Sequence, residues 1–448
     1  MRTLLQAGLV VALALGCEAR PAPTPSTTSR TPATSTASGR TGSHAPAPAT
    51  ASAASTSPPG PATSSPEAKK AAAGSNAFGV DLYRKLRDKP GNLAVSPASL
   101  SMALAMTFGG AVGDTAAEMQ KVMHFEGSAT EVAAGAGKLA AELQDPSRQV
   151  TFKIANRLFG EKSYAFEQPF LDATEKAFGA GLEAVDFKTG FEAARGTINA
   201  WVADHTEKRI QNLIPSGGLT DLTRLVLVNA TYFLGVWQHE FEKERTHDAA
   251  FSTSKTATVE VPTMHQTASL KLAARDGMTM LELPYRGGAM SLLLVLPDAV
   301  DGLGALEAGL TLARLEGWAA GLEAESVAVA LPKFTIEPAE ALALAPILQD
   351  LGMKLAFGDK ADFTKIANPP AKDQQLRITD VFHKAFVKVD EKGTEAAAAS
   401  AVVMGEKGAG APQAPKRFVA DHPFLYLLRD NPSGLLVFMG RVVDPSAK

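Results

Sequence analysis

The sequence predicts an α+β fold with mainly antiparallel sheets, because helical patterns are concentrated early in the chain and strand patterns late. The chain has 448 residues, of which 45% are hydrophobic and 20% are charged, a balance typical of globular proteins. Strands and helices do not alternate in the way that builds a parallel sheet. Length alone would allow two or three domains, because single cores stop growing near about 250–300 residues.

The helical patterns begin near residue 76. Phe78 and Leu82 recur at helical spacing within 76–87. Ser96 followed by Pro97 predicts the start of another helix, since serine caps helices and proline suits their first position. Further helices are predicted over 170–178 and 197–209.

After Leu225 the pattern changes to dense apolar runs and alternating segments, which are typical of strands. The predicted strands are 225–233, 258–261, 269–272, 280–283, 290–296, 326–331, 377–390 and 435–443.

Composition and motifs exclude several function classes. The net charge of −3 makes nucleic acid a poor candidate partner. The single cysteine excludes an intramolecular disulfide, a paired-cysteine redox centre and a cysteine-based zinc site. The chain lacks a GxSxG nucleophile elbow, an HExxH zinc motif and a phosphate-binding GxxxxGK[ST] loop. We therefore expect no enzyme, no metal and no cofactor.

The first 17 residues read as a secretory signal. A positive start precedes an apolar stretch from Leu4 to Leu15, which is too short to span a bilayer. Gly16 before Cys17 resembles a bacterial lipobox, in which the cysteine carries the lipid. The alternative is an ordinary signal peptide with an incidental cysteine. Glu18 is not the aspartate that often retains lipoproteins at the inner membrane. We therefore expect an exported outer-membrane or cell-surface lipoprotein, or alternatively a secreted or periplasmic protein.

Residues 18–74 are predicted to be a disordered tether. Of these 57 residues, 49 are Ala, Ser, Thr, Pro or Gly, and none is Ile, Leu, Val, Met, Phe, Trp or Tyr. Such a segment has little to bury and cannot offset the entropy lost on ordering. The folded domain is expected over 75–448.

Two features of the folded part stand out. His383 shares strand parity with Ala385 and Val387, so it falls on an apolar face and is expected to be a hydrogen-bonded core residue. The run from Glu391 to Met404 could be a helix capped by Thr394. Because small residues lead into a glycine-rich stretch with one lysine, the same run is also what a protease would cut.

Ordered motifs run through the whole of 75–448. They lie at 92–99, 103–119, 225–237, 281–285, 331–334, 383–385, 390–399, 421–424 and 438–443. Together they resemble the serpins, a family of serine protease inhibitors. The resemblance implies a single large domain of three mainly antiparallel sheets, about nine helices and an exposed reactive loop at about 391–417.

The resemblance also implies a mechanism. The target protease cuts the loop, and the cut loop inserts as a new strand that traps the acyl-enzyme. Side chains of the inserting strand alternate, and we assign Thr394 and the residues at every second position after it to the inward face. The hinge residues are Glu391, Gly393, Thr394, Ala396, Ala398 and Ser400. The inward ones are small and uncharged, which favours an active inhibitor.

The reactive bond follows from counting. Serpins are usually cut about fourteen residues after the hinge glycine, which gives Lys407 with Gly408 on the leaving side. Lysine there suits a trypsin-like protease with an acidic pocket. Met404 is the alternative for an elastase- or chymotrypsin-like target, and a cysteine protease is a further alternative. A non-inhibitory serpin with a binding or chaperone role also remains open.

The resemblance assigns control regions as well. Ser96, Ser99, Asn229 and His383 match the shutter, where the large sheet parts, and His383 is expected to bond Asn229 there. Trp237 matches the breach, where insertion begins. The partner is expected to be a serine protease, with membrane contact only through Cys17, and the protein is expected to be a monomer.

Overall fold

The computed structural model describes residues 7–15, 63–394 and 414–447. Within these residues the chain forms nine α-helices. They are α1 (Pro66–Leu86), α2 (Pro97–Phe108), α3 (Gly113–Val122), α4 (Ala129–Leu143), α5 (Gln168–Phe178), α6 (Phe187–His205), α7 (Leu303–Ala308), α8 (Leu312–Ala320) and α9 (Ala345–Leu351).

The strands of the same residues number eighteen and build three sheets. They are β1 (Ala7–Leu15), β2 (Leu93–Val95), β3 (Thr151–Glu161), β4 (Gly181–Val185), β5 (Thr223–Val236), β6 (His247–Ser252), β7 (Thr258–Arg275), β8 (Met278–Pro284), β9 (Met290–Pro297), β10 (Glu323–Pro332), β11 (Phe334–Ile336), β12 (Leu342–Ala343), β13 (Leu376–Lys384), β14 (Val387–Val389), β15 (Gly393–Thr394), β16 (Lys416–Val419), β17 (Phe424–Asp430) and β18 (Leu436–Val442).

The sheets are arranged around two large apolar clusters. The seven-stranded sheet has the order β12-β13-β1-β5-β3-β4, with β15 also paired to β5. The nine-stranded sheet has the order β16-β10-β7-β8-β9-β17-β18-β2, with β6 paired to β7, and β11 pairs with β14. This single α+β domain confirms the fold class and the single large domain that the resemblance implies.

Helix α2 lies between the two large sheets. Every one of its 12 residues is buried, and it contacts β5 and β1 on one side and β18 on the other. A helix that is apolar all round is stable only inside a protein, where each face meets another element. Its position places the N-terminal cap, Ser96, directly behind the seven-stranded sheet.

The apolar N-terminal segment that reads as a secretory signal forms strand β1 in this structure. It runs parallel to both β5 and β13 and separates them over its whole length. Strands β5 and β13 therefore pair with β1 and not with each other. The gap between β5 and β13 is the central feature of the site described below.

The helix that opens the folded domain starts earlier than the sequence predicts. Helix α1 begins at Pro66, within the predicted tether, and not near residue 76. Ser65 caps it by accepting a hydrogen bond from the Ala68 amide, and Ala68 and Ala72 are fully buried. Alanine has the best helix propensity and can pack closely, so the absence of large apolar residues did not exclude order here.

Two strand boundaries also differ. The segments 258–261 and 269–272 belong to one continuous strand, β7, and the predicted strand 377–390 is split into β13 and β14. Ala385 and Phe386, between the latter two, are buried and leave the sheet to join the core.

Candidate reactive loop and the sheet gap behind it

The hinge begins as a short strand at the end of β5. Gly393 pairs with Val236 and Thr394 pairs with Gly235, both antiparallel. A β-carbon on Gly393 would lie 1.9 Å from the carbonyl oxygen of Gly235, so no other residue fits this approach. Residues 393–394 are therefore already aligned with the sheet.

Trp237 holds the base of this loop. Its backbone amide donates to the Lys392 carbonyl at 2.8 Å, and its indole nitrogen donates to the Asp390 carbonyl at 3.0 Å. The indole is buried and stacks on Tyr285, with ring centroids 4.5 Å apart. The residue that the sequence assigns to the breach thus lies against the start of the loop.

Thr394 points into the core. The residue is 6% exposed, and its hydroxyl is hydrogen-bonded to the Tyr285 hydroxyl. A small space beside it is lined by apolar side chains and one tyrosine. These are Phe233, Leu292, Phe386, Val387, Tyr426, Leu428 and Phe438. No carboxylate lines this space among the described residues, so a charge brought there would have no partner.

Glu391 anchors the other side of the hinge. It is buried, and its carboxylate lies 3.0 Å from the ammonium of Lys333. Burial alone would raise the pKa of Glu391, but hydrogen bonds from its backbone and from Lys333 outweigh burial and hold that pKa below its usual value. The carboxylate is therefore ionised at neutral pH and fixes the chain just before the hinge.

Four buried polar residues, Ser96, Ser99, Asn229 and His383, lie in the middle of the seven-stranded sheet or directly behind it. The Ser96 hydroxyl accepts from the Ser99 amide at 3.2 Å, as a helix cap, and donates to the Val437 carbonyl at 2.7 Å. The Ser99 hydroxyl donates to the side-chain oxygen of Asn229. The Ser99 bond ties the start of α2 to β5, and the Ser96 bond ties it to β18.

His383 is fully buried on β13. The backbone amide of Ser96 donates to its Nε2 at 3.2 Å, so Nε2 is the acceptor and the neutral ring carries its proton on Nδ1. Burial lowers the pKa of His383 to about 3. Nδ1 has no hydrogen-bond partner among the described residues.

The predicted hydrogen bond between His383 and Asn229 is wrong for this structure. Asn229 instead accepts from Ser99 and donates to the Asn156 side chain at 2.7 Å. The reason is the intervening strand, because Leu13 of β1 is the register partner of both Asn229 and His383. The two shutter residues therefore face each other across an occupied gap.

The far end of the reactive loop is anchored on the other large sheet. Lys416 begins β16, which runs parallel to β10, and its ammonium lies 2.7 Å from the Glu325 carboxylate. The candidate loop thus starts on the seven-stranded sheet, at the hinge, and ends on the nine-stranded sheet, at β16.

Comparison with known proteins identifies the family. A family model described as "Serpin (serine protease inhibitor)" matches residues 73–445. The chain is a serpin. It is 42% identical over 387 residues to a leukocyte elastase inhibitor of Bos taurus, covering 84% of this chain and 100% of that protein. It is 38% identical to the leukocyte elastase inhibitor of Homo sapiens, with the same shares covered.

Solved serpin structures have the same fold as this chain. A cleaved Serpin 42Da superimposes with a TM-score of 0.75 at 31% identity, covering 85% of this chain and 98% of that one. Human thyroxine-binding globulin complexed with its ligand gives 0.75 at 28% identity, covering 85% and 100%. The family is described as serine protease inhibitors, and its members are not enzymes.

Several site residues named from the sequence fall outside the described residues. They are Cys17, Ala396, Ala398, Ser400, Met404, Lys407 and Gly408. Within the part of the chain that the structure describes, no cluster of three or more His, Cys, Asp or Glu could hold a metal, and no helix is both long and apolar enough to cross a membrane.

Three residues that hold this serpin's hinge were missed as site residues. Tyr285 supports both Trp237 and Thr394, Lys333 pairs with Glu391, and the carbonyl of Asp390 receives the indole. All three lie inside motifs that carry the serpin resemblance. Their roles depend on contacts between distant strands, which sequence spacing does not show.

Proposed function

We propose that this serpin inhibits a serine protease as a suicide substrate, by inserting its cleaved loop between β5 and β13. The observation that carries this proposal is the hinge itself: Gly393 and Thr394 are already paired antiparallel to β5, with Thr394 buried. Adding a strand to a sheet edge stabilises the product through backbone hydrogen bonds, and loop insertion in serpins uses this principle.

Extending the observed register shows where the inserted strand would lie. Thr394 opposite Gly235 places Ala398 opposite Thr231 and Ser400 opposite Asn229. Since alternate residues of a strand face one side, these positions share the inward face with Thr394. Small side chains there fit beside the shutter without moving the core.

Strand β1 limits this insertion in the full chain. β1 pairs with β5 from Thr223 to Thr231, so a strand entering from the hinge meets it at about Ala398. Complete insertion therefore requires β1 to leave the gap. Cleavage of a secretory signal before Cys17 would remove it, so export and competence for inhibition would be linked.

The target class has two candidates. Counting from Gly393 supports Lys407 as the residue before the cut bond and a trypsin-like protease, whose acidic pocket accepts lysine. The relatives given above are named leukocyte elastase inhibitors and are up to 42% identical to this chain. Their names support an elastase-like protease and a cut after Met404. Both residues lie on the same loop, so the choice is experimental.

The test is a set of inhibition assays against trypsin and neutrophil elastase with Lys407→Ala and Met404→Gln variants. Glutamine keeps the size of methionine but is polar, whereas alanine would still suit the small pocket of elastase. If Lys407 is the reactive residue, Lys407→Ala abolishes trypsin inhibition while Met404→Gln keeps it. If Met404 is the reactive residue, Met404→Gln abolishes elastase inhibition while Lys407→Ala keeps it. If both variants inhibit both proteases as well as the wild type does, the reactive bond lies elsewhere.

A binding protein without inhibitory activity is the second candidate. It is favoured by the likeness to thyroxine-binding globulin, whose structure is a complex with thyroxine. Such a protein would be cut in the loop without trapping the protease, so the same assays would show cleavage and no loss of protease activity.

For location, we propose an exported lipoprotein attached through Cys17. The support is the apolar stretch before the single cysteine and the Ala/Ser/Thr/Pro-rich segment after it. A random coil of 45 residues, the length of 18–62, has a root-mean-square end-to-end distance of about 40 Å. Membrane fractionation and N-terminal mass spectrometry of wild type and Cys17→Ser test this, because only the wild type should carry lipid.

A further inference from the structure

Strand β7 has an open edge between the places where its two neighbours on one side pair with it. On that side β6 pairs with β7 only over 258–263, and β8 pairs with it only over 271–275. On the other side β7 pairs with β10 without a break from Thr263 to Leu272. Among the described residues, no strand therefore covers this side of β7 at 265–269.

The direction of the unpaired backbone groups follows from the turn between β7 and β8. Asp276 and Gly277 have positive φ, of 55° and 73°, and form a two-residue turn that makes Arg275 a hydrogen-bonded partner of β8. Hydrogen bonds alternate along an antiparallel strand, so every second residue before Arg275 directs its amide and carbonyl to the same side. Three residues of the open edge share this direction and have no backbone partner among the described residues. They are His265, Thr267 and Ser269.

A cleft of about 970 Å³ borders this edge, and we call it the β7 cleft. It is lined by 238–245 and 265–268, by Arg286, and by Glu391 and Lys392 at the base of the hinge. Its volume is at the upper end of the range for ligand sites. The space beside the open edge is therefore large enough to admit another chain.

Gln266 presents an unpaired amide to the β7 cleft. The residue is only 8% exposed and lines the cleft, and its amide has no hydrogen-bond partner among the described residues. It is not one of the unpaired groups that are fully buried from solvent, so the amide is open to the cleft. An amide offers both a donor and an acceptor, which is what a peptide group of an incoming chain requires.

The charges around the β7 cleft are balanced. Glu240 is paired with Arg286, and the Glu391 carboxylate lies 3.0 Å from the Lys333 ammonium. Carboxylates and cations alternate along 242–245. A lining of mixed charge does not favour a polyanion or a membrane surface. It suits a polypeptide segment that binds through its backbone.

The position of the cleft identifies the partner. Its lining includes Glu391 and Lys392, where the candidate reactive loop starts. The loop ends at β16, which only β10 separates from β7, so the two strands lie about 10 Å apart at about 4.8 Å for each step across the sheet. A protease that binds the loop between these two ends is therefore brought next to the β7 cleft.

We propose that the β7 cleft is a second docking site for the target protease, in which an extended surface segment of the protease adds as a strand to β7 at 265–269. Strand addition uses backbone hydrogen bonds, which the unpaired amides and carbonyls of the edge supply. The Gln266 amide bonds one further peptide group of that segment. The identity of the partner rests on the proposed inhibitory function, whereas the open edge does not.

The test measures the binding of the full chain to trypsin and to neutrophil elastase whose catalytic serines are replaced by alanine, so that docking is measured without cleavage. Thr267→Pro removes an amide that has no partner in the fold and places a ring on the edge, and proline is tolerated at such positions. We expect Thr267→Pro to weaken the binding of at least one protease about three- to tenfold, as the loss of one or two hydrogen bonds predicts.

Thr267→Val is the matched control, because it keeps the amide and suits a strand, and it should bind as the wild type does. Gln266→Met keeps the approximate size of the side chain and removes the amide, so it should weaken the same binding about threefold. Thermal unfolding shows whether each variant is folded. If Thr267→Pro does not fold, Gln266→Met tests the site alone.

The proposal is overturned if the folded variants bind both proteases as tightly as the wild type does, or if neither protease binds the wild type saturably. A dimer that Thr267→Pro abolishes, with unchanged protease binding, would assign the edge to a second copy and would also overturn it. Unchanged docking in the variants together with covalent trapping would leave the proposed function standing without this site. Weakened docking in the variants with no trapping by the wild type would support the site and contradict the proposed function.

Discussion

Replacing Thr394 by arginine tests the insertion mechanism at the one inward hinge position that the structure describes. Thr394 is 6% exposed and lies beside apolar side chains and the Tyr285 hydroxyl. Because Thr394 is already buried before cleavage, an arginine would leave this space and free the hinge from β5, and insertion would then have to bring its unpaired charge back in. Leaving a charge buried without its partner costs about 3–5 kcal/mol.

That penalty bears on a race between insertion and hydrolysis of the acyl-enzyme. If about 3 kcal/mol falls on the barrier to insertion, the insertion rate drops more than about a hundredfold, since each 1.36 kcal/mol is a factor of ten. Hydrolysis is unaffected, so most encounters end with a cut serpin and a free protease. Thr394→Arg should therefore turn the inhibitor into a substrate.

The assay is the number of serpin molecules consumed for each protease inhibited, read with a denaturing gel of the boiled mixture. Thr394→Val is the matched control, because it keeps the size of the side chain and loses only the hydroxyl bond to Tyr285. We expect the valine variant to inhibit nearly as well as the wild type. The reasoning is refuted if Thr394→Arg traps the protease at the wild-type ratio.

Three further predictions follow from the gap and the hinge. Purified protein that retains β1 should be cleaved without trapping the protease, whereas protein lacking residues 1–16 should trap it. Equal trapping by the two proteins would show that β1 does not block insertion. The pKa of His383 is about 3 in the folded protein and near 6.5 in the unfolded chain. The free energy of unfolding therefore falls as pH drops from 6.5 toward 3, and the loss is about 2 kcal/mol at pH 5. His383→Gln, which keeps an acceptor for the Ser96 amide, should remove that part of the acid sensitivity in urea unfolding, and an unchanged pH profile would contradict it. Lys333→Met should destabilise the protein by about 1–2 kcal/mol, less than for a buried charge with no partner, because Glu391 keeps a backbone hydrogen bond and Lys333 is partly exposed. Adding Glu391→Gln should recover most of that loss. A double variant as unstable as the single one would argue against the pair.

The fold class was predictable because local signals and the family motifs agree. The capping serine and proline at Ser96 and Pro97 start α2 as expected, and the long apolar run after Leu225 is the central strand β5. The burial of His383 followed from its parity on an apolar strand face. Each of these features depends on residues that are close in sequence.

What could not be predicted depends on contacts across the fold. The pairing of β1 with β5 and β13 joins residues more than two hundred positions apart, and it displaces the expected bond between Asn229 and His383. The support of Thr394 by Tyr285 crosses 109 positions. The start of α1 was missed for another reason, since alanine contributes helix propensity without the large apolar side chains that mark a pattern.

The central claim, that this serpin traps a protease by inserting its cleaved loop, is tested most directly by one gel. Protein lacking residues 1–16 is mixed in turn with trypsin and neutrophil elastase, boiled, and separated under denaturing conditions, with mass spectrometry of the released peptide. The account predicts a covalent band at the sum of the two masses and a C-terminal peptide that starts at Gly408 with trypsin or Gly405 with elastase. Complete cleavage of the loop by both proteases with no covalent band would contradict it.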